Sequence, residues 1–248
     1  PGAETPLFIF AALAVLTVAM WIVESTEHLA SRMGPTYGAL FNATFGNLAE
    51  LVIAILAIRA GLIDVVRASL TGSILGNLLF VGGLSMLLGG WNRESQKFNP
   101  LTAESQGGQL ALASAALLLP TLFYRSGGSA NSTLMHEESL GTAIILMLTY
   151  CAGLWFTFRT HKHILNPAAE QVETDDPVGH WSIRKSVAVL LAASALMGVI
   201  AEGLVGAVEH VGHQLGLSQV FMGFVVVAIV GNAAEHSTAV MLAMRGRM

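Results

Sequence analysis

Two short stretches carry residues able to do chemistry in an otherwise apolar chain: Phe45-Gly46-Asn47-Leu48-Ala49-Glu50 and Val230-Gly231-Asn232-Ala233-Ala234-Glu235-His236. In each, an amide and a carboxylate stand three residues apart, so on a helix they leave from one face and can converge on one guest. The preceding Gly loosens the helix and lets a ligand or a second helix approach the backbone. Glu50 and Glu235, with the amide oxygens of Asn47 and Asn232 and carbonyls opened at Gly46 and Gly231, make an all-oxygen donor set. Such a set suits a hard cation such as Ca2+, which takes roughly six to eight oxygens, and suits thiophilic metals poorly. Two carboxylates neutralise one divalent cation or take up protons instead, and burial beside a like charge favours the protonated form. Loading with Ca2+ and loading with protons then exclude one another, which is the chemistry of exchange.

Packing is the competing reading, with each Glu protonated or paired to Asn across a helix interface. An ionised carboxylate at bilayer depth costs about 2.5–3.5 kcal/mol, and paying it at two matching places favours ion handling. His236 follows Glu235 directly and so points to another sector of the helix, where it can tune or relay a proton or simply hold a hydrogen bond. Thr71-Gly72-Ser73-Ile74-Leu75-Gly76-Asn77 places Ser73 and Asn77 four apart on one face. Its small residues predict close packing against the helix of Glu50, with the polar pair within reach of the same ion. Glu27 and Glu202 both read Glu-x-Leu ahead of their Gly-Asn segment and form a second candidate pair lining the approach to the site. Glu24, His28, Glu209 and His213 read as solvated helix ends.

The elements that position these residues are membrane helices. Hydrophobic residues make up 54% of the 248 and charged residues 11%, and apolar runs near twenty residues recur, each long enough to cross about 30 Å of hydrocarbon. Seven helices are predicted, at about 6–30, 36–60, 63–90, 105–124, 139–159, 183–211 and 218–244. Connections are short and punctuated by Gly, Pro and Asn, except residues 160–182. There Glu170, Glu173, Asp175 and Asp176 with Pro167 and Pro177 form a polar, acidic linker. Arg32, Arg93, Lys97, Arg159, Lys162, Arg184, Lys185, Arg245 and Arg247 fall on one side of the membrane, against Arg59, Arg67 and Arg125 on the other. The bias predicts a cytoplasmic linker and an external Pro1.

The two Gly-Asn segments lie in the second and seventh helices, and an odd interval makes equivalent helices run in opposite directions. That predicts an inverted repeat with the substrate site near the midplane. The predicted fold is an all-α polytopic membrane protein, an inverted-repeat helical bundle with seven transmembrane helices of a ten-helix core. Residues 1–159 form the first repeat, 160–182 the cytoplasmic linker, and 183–248 a second repeat lacking about three helices. Small net charge, -4, and the lack of a dense basic patch argue against nucleic acid as a partner. The single Cys151 excludes an intrachain disulfide and a cysteine zinc site, and reads as a small buried apolar residue. The run Glu24-Ser25-Thr26-Glu27-His28 departs from the H-x-x-E-H zinc motif at its first position, which argues against a metalloprotease. The last helix has no lysine to carry a retinal Schiff base.

At this level the chain resembles the cation/proton exchangers of the Ca2+/cation antiporter superfamily. The resemblance rests on Leu40 to Leu51, on Val227 to His236, and on Ala68 to Leu79 in the helix after the first segment. It implies Ca2+ export or sequestration driven by protons, through alternating access in an inverted-repeat fold, with Glu50 and Glu235 as the ion-binding carboxylates and Glu27 and Glu202 as acidic residues of the flanking helices. Phe45-Gly46-Asn47 and Ala49-Glu50 stand where Na+/Ca2+ exchangers usually have Thr-Ser and Pro-Glu, which favours the proton as counter-ion. The implied partners are Ca2+, protons and the lipid bilayer, with a homo-oligomer allowed; no cofactor and no enzymatic step are expected. The membrane is a prokaryotic inner membrane or, in a eukaryote, a vacuolar one. Exchange of Na+, K+ or Mn2+ is the alternative within transporters, and a cation channel with an acidic ring is the alternative outside them.

Overall fold

The computed structural model describes residues 4–33, 40–41, 44–96, 98, 100–125, 132–156, 159 and 181–246. The acidic linker at 160–180 lies outside them. Seven helices carry the described residues, with no strand among them: α1 (Glu4–Met33), α2 (Leu48–Arg59), α3 (Ile63–Gly90), α4 (Pro100–Arg125), α5 (Ser132–Trp155), α6 (Ile183–Leu215) and α7 (Gln219–Met244). Six contain a stretch long and apolar enough to cross a membrane: all but α2. The protein is an all-α, multi-pass membrane protein. Its chain forms two compact units, residues 1–97 with 176–248, and residues 98–175. In the second unit, α4 and α5 pack together, Gly153 lying against the side chain of Gln109. Cys151 is exposed on α5, not buried as its sequence setting suggested; in lipid a small apolar residue faces outward at no cost.

In the first unit, α1 and α6 form the most extensive helix pair. At about 1.5 Å per residue, their 30 and 33 residues span the whole bilayer. Val15, Ile22, Met197, Ala201, Leu204 and Val208 are sealed in the core to which this pair contributes. Ser182 caps the start of α6 by accepting from the Lys185 backbone N–H at 3.2 Å. Gly216, at φ 67, ends it, and the Leu217 N–H returns to the Gly212 carbonyl at 2.8 Å. Only a residue without Cβ takes that left-handed turn freely. At the other end, His28 is buried, its ring stacked at 4.6 Å on Trp181, with the Lys185 ammonium 4.0 Å from the same indole. The sequence placed His28 at a solvated helix end; the indole, 153 positions away, covers it.

Helix α2 lays Ala49, Ile53 and Ala57, one residue per turn, into the core that α6 shares. Helices α3 and α7 meet through backbone. A Cβ on Gly72 would fall within 2.8 Å of the Phe224 carbonyl carbon, one on Gly223 within 2.9 Å of the Ala68 Cβ, and one on Gly89 within 2.7 Å of the Ala243 oxygen. The small residues of α3 therefore serve contact with α7, whereas the sequence suggested contact with α2. Both helices include a wider π turn, at Gly76–Val81 in α3 and Met222–Val227 in α7. Beyond the end of α3, Arg93 donates to Gly89 O at 2.7 Å, Met244 O at 2.8 Å and Ala243 O at 3.3 Å. One guanidinium thus closes the carbonyl ends of both helices, where a positive charge is favoured.

Candidate functional site

Glu50 sits in the first turn of α2, immediately after the helix breaks. Thr44 and Phe45 are helical, Gly46 and Asn47 turn, and Asn47 at φ -89, ψ 9 leaves helix geometry before Leu48 restarts it. This is the loosening expected of Gly46. In α7 the helix is unbroken at Gly231 and Asn232, and the irregular π turn falls earlier, at Met222–Val227. Gly231 instead makes room: a Cβ there would stand 3.1 Å from Glu50 Cγ.

Three helices converge on one carboxylate oxygen. Ser73 Oγ of α3 donates to Glu50 Oε1 at 2.6 Å, and Asn232 Nδ2 of α7 donates to the same oxygen at 2.6 Å. Asn232 Nδ2 also lies 2.8 Å from Ser73 Oγ and 2.8 Å from Ala228 O. The last partner fixes the amide's orientation, because a carbonyl accepts only and must face the NH2 side. Asn232 is 2% exposed, so its amide is shut off from lipid and water, where an unpaired donor would be costly, whereas Glu50 and Ser73 are half-buried. Glu235, one turn further along α7, feels the charge of Glu50, as does His236. His236 Nε2 is buried with no hydrogen-bond partner among the described residues. A cavity of ≈ 20 Å³ starts at Glu50 and follows Ile53, Ala54 and Ala57 of α2 beside Val65, Val66 and Val227. It admits about one water molecule.

Of the other residues singled out by sequence, Asn77 is exposed in the π turn of α3, one turn beyond Ser73. Glu27 and Glu202 are exposed on α1 and α6 and take no part in the hydrogen bonds to Glu50. Among the described residues no three His, Cys, Asp or Glu side chains group to hold a metal ion. The sequence reading gave Gly72 the wrong partner and gave Gly223 and Arg93 no part in packing. A small residue flanking Ser73 signals a close contact without naming the partner, and nothing in the sequence marks Phe224 as that partner.

The chain matches the family model described as sodium/calcium exchanger protein over residues 4–159 and 185–248. It is 40% identical to the Ca(2+)/H(+) antiporter ChaA of Bacillus subtilis over 98% of this chain and 68% of that protein. It is 37% identical to the vacuolar calcium ion transporter of Schizosaccharomyces pombe over 98% of this chain and 59% of that protein. Among solved structures it resembles native YfkE at a TM-score of 0.75 and 34% identity, covering 97% of this chain and 66% of that one. The chain thus spans about two thirds of the length of its bacterial relatives and less of the yeast one.

Proposed function

We propose that this chain, which belongs to the sodium/calcium exchanger protein family, works as a Ca2+/H+ antiporter that exports or sequesters Ca2+ by alternating access. Relatives from bacteria and yeast are named for Ca2+ transport, and the bacterial one also for proton antiport. The observation that carries the reading is the convergence of α2, α3 and α7 on Glu50, with Glu235 in electrostatic range. Ser73 and Asn232 both hold Oε1, which leaves Oε2 to take a proton or a cation. A cation that uses Oε1 or the Asn232 carbonyl oxygen must displace those donors, so loading the site and rearranging α3 and α7 side chains are one event. Ca2+ binds between Glu50 and Glu235 with oxygens from Gly46, Gly231, Asn47 and Asn232, supported by Ser73 and Asn77. Glu27, Glu202 and His236 carry protons or line the approach. Transport leaves the ions chemically unchanged, so the protein is no enzyme.

In this reading the Glu50 and Glu235 segments are equivalent parts of an inverted repeat, residues 1–159 and 183–248 joined by a cytoplasmic linker, and α1 and α6 slide to expose the site to either side. The test is Ca2+ uptake by the full-length protein in liposomes under an imposed pH gradient, beside Glu50→Gln and Glu235→Gln. Uptake that dissipates the gradient, and is lost in both variants while they remain folded, is the expected result. Ca2+ movement without proton counterflow would make the protein a channel or an exchanger of Na+ or K+, and full activity in Glu50→Gln would remove that residue from the site.

A further inference from the structure

The cavity that starts at Glu50 is lined by a second polar side chain, which the hydrogen bonds to Glu50 do not use. Ser69 stands one turn before Ser73 on α3, so the two residues share a face of the helix. Ser73 Oγ donates to Glu50 Oε1 at 2.6 Å, whereas Ser69 makes no hydrogen bond among the described residues. Seven of the nine residues lining the cavity are Ile, Ala, Val or Leu, which leaves Glu50 of α2 and Ser69 of α3 as its polar side chains. Both are half-buried. Glu50 Oε2 has no donor among the described residues, since Ser73 and Asn232 both hold Oε1.

Spacing and volume together select what this room takes. Side chains four apart on a helix stand about 5–6 Å from each other at Cβ. With Ser73 already touching Glu50, Ser69 lies beyond direct reach of the same carboxylate by about the length of one bridging water. The cavity of ≈ 20 Å³ exceeds the roughly 10–15 Å³ that one water needs and falls short of comfortable room for two. A buried water is held only where at least two polar groups meet it, and a carbon-lined cavity without them stays dry. Here Glu50 and Ser69 supply those two groups.

We propose that the cavity is a one-water site built by Ser69 and Glu50, and that a cation bound at Glu50 takes this water as a ligand. The inference rests on the antiport reading for the identity of the cation and deepens it by adding Ser69 to the site. Ca2+ accepts water among its oxygen ligands. A hydroxyl both donates and accepts, so Ser69 holds the water in either state of the site. Without a cation, the water donates to Glu50 Oε2 and accepts from Ser69 Oγ. When Ca2+ reaches Oε2, the water turns its oxygen to the ion and donates to Ser69 Oγ. The carbon walls admit no further water from this side, so the ion sheds the rest of its shell there. Ser69 is thus a positioning residue: it acts on the ion through the water.

The test uses Tb3+, which replaces Ca2+ at oxygen sites and whose luminescence decay in H2O and D2O counts the waters it keeps. Tb3+ is bound to the full-length protein in detergent, and the signal counted is the part that Ca2+ displaces and Glu50→Gln abolishes. The wild-type ion should keep at least one water. Ser69→Ala removes the anchor, and Val66→Ile adds a methylene to the same cavity. Each should lower the count by about one, the content of the cavity. In liposomes both should raise the KM for Ca2+ about two- to tenfold, the worth of one hydrogen bond, with turnover at saturating Ca2+ near that of wild type. An unchanged melting temperature separates loss of the water from loss of the fold. A wild-type ion without water, or a count that Ser69→Ala leaves unchanged, would overturn the proposal. So would a folded Val66→Ile protein that keeps the full count. Ca2+ flux without proton counterflow, with the water counts as expected, removes the antiport reading alone; intact Ca2+/H+ exchange with an unchanged count removes the water site alone.

Discussion

Gly72→Ala tests whether the ion site is set by how closely α3 approaches α7. The new Cβ would lie 2.8 Å from the Phe224 carbonyl carbon and 2.9 Å from its Cα, with the carbonyl oxygen closer still. Backbone cannot rotate away as a side chain tip can, so the helices must part by about 1 Å before these contacts become ordinary ones. Ser73 is the next residue. Its 2.8 Å contact with Asn232 then opens beyond hydrogen-bond range, and the buried amide loses one of the partners that orient it toward Glu50. Leaving a buried polar group short of a partner costs about 1–3 kcal/mol, or roughly 5- to 150-fold in apparent affinity. The assay is the Ca2+ dependence of uptake, with a raised KM and a lowered melting temperature expected. Gly83→Ala on the same helix is the control, since nothing lies within 4 Å of a Cβ there; its KM should be that of wild type. A Gly72→Ala protein with wild-type KM and melting temperature would refute the claim that backbone contact at Gly72 positions Ser73.

Arg93→Gln removes the charge that closes two helix ends and should lower stability by about 1–3 kcal/mol, read as a drop in melting temperature in detergent; Arg93→Lys, with fewer and differently placed donors, should recover only part of it. Gly216→Ala forces a side chain into the left-handed turn at φ 67 and should cost about 1 kcal/mol, while Gly206→Ala, with open space around it, should be neutral or stabilising. Trp181→Ala uncovers His28 and should speed amide exchange in the last turns of α1 without slowing exchange in the α3–α7 pair.

Much of this architecture is legible in the sequence because a bilayer imposes it. Apolar runs of near-fixed length and Gly-Pro punctuation locate the six long helices to within a few residues at most ends. The doubled Gly-Asn-x-Ala-Glu pattern picks out Glu50 and Asn232, which the fold then brings to 2.6 Å. Other features leave no such trace. The lipid is as apolar as a Leu side chain, so hydropathy cannot tell the buried Met197 from the exposed Met147, and it misplaced Cys151 for the same reason. The π turns at Gly76–Val81 and Met222–Val227 depend on how α3 and α7 fit each other. Burial of His28 depends on Trp181, whose approach follows from the length of the α1–α6 pairing.

The two long helix pairs differ in kind, and the difference bears on the proposed cycle. Helix α3 meets α7 glycine to backbone at Gly72, Gly223 and Gly89, and Arg93 bonds the carbonyl ends of both. Displacing one helix along the other by a fraction of a turn would drive a neighbouring Cβ into a carbonyl, so this pair resists sliding at every level. Helix α1 meets α6 through a core of Val, Ile, Ala, Leu and Met side chains with polar clasps at its two ends, at His28 with Trp181 and at Glu4 with His210. Side chains repack by changing rotamer, and Met adapts most readily. If one pair moves while the other frames the ion, the moving pair has to be α1 with α6, and Ser73 and Asn232 have to stay on the frame. Cross-linking α3 to α7 through cysteines at adjacent exposed positions should therefore leave exchange running, whereas cross-linking α1 to α7, which are also in contact, should stop it. Exchange that survives the second link and fails under the first would reverse the assignment.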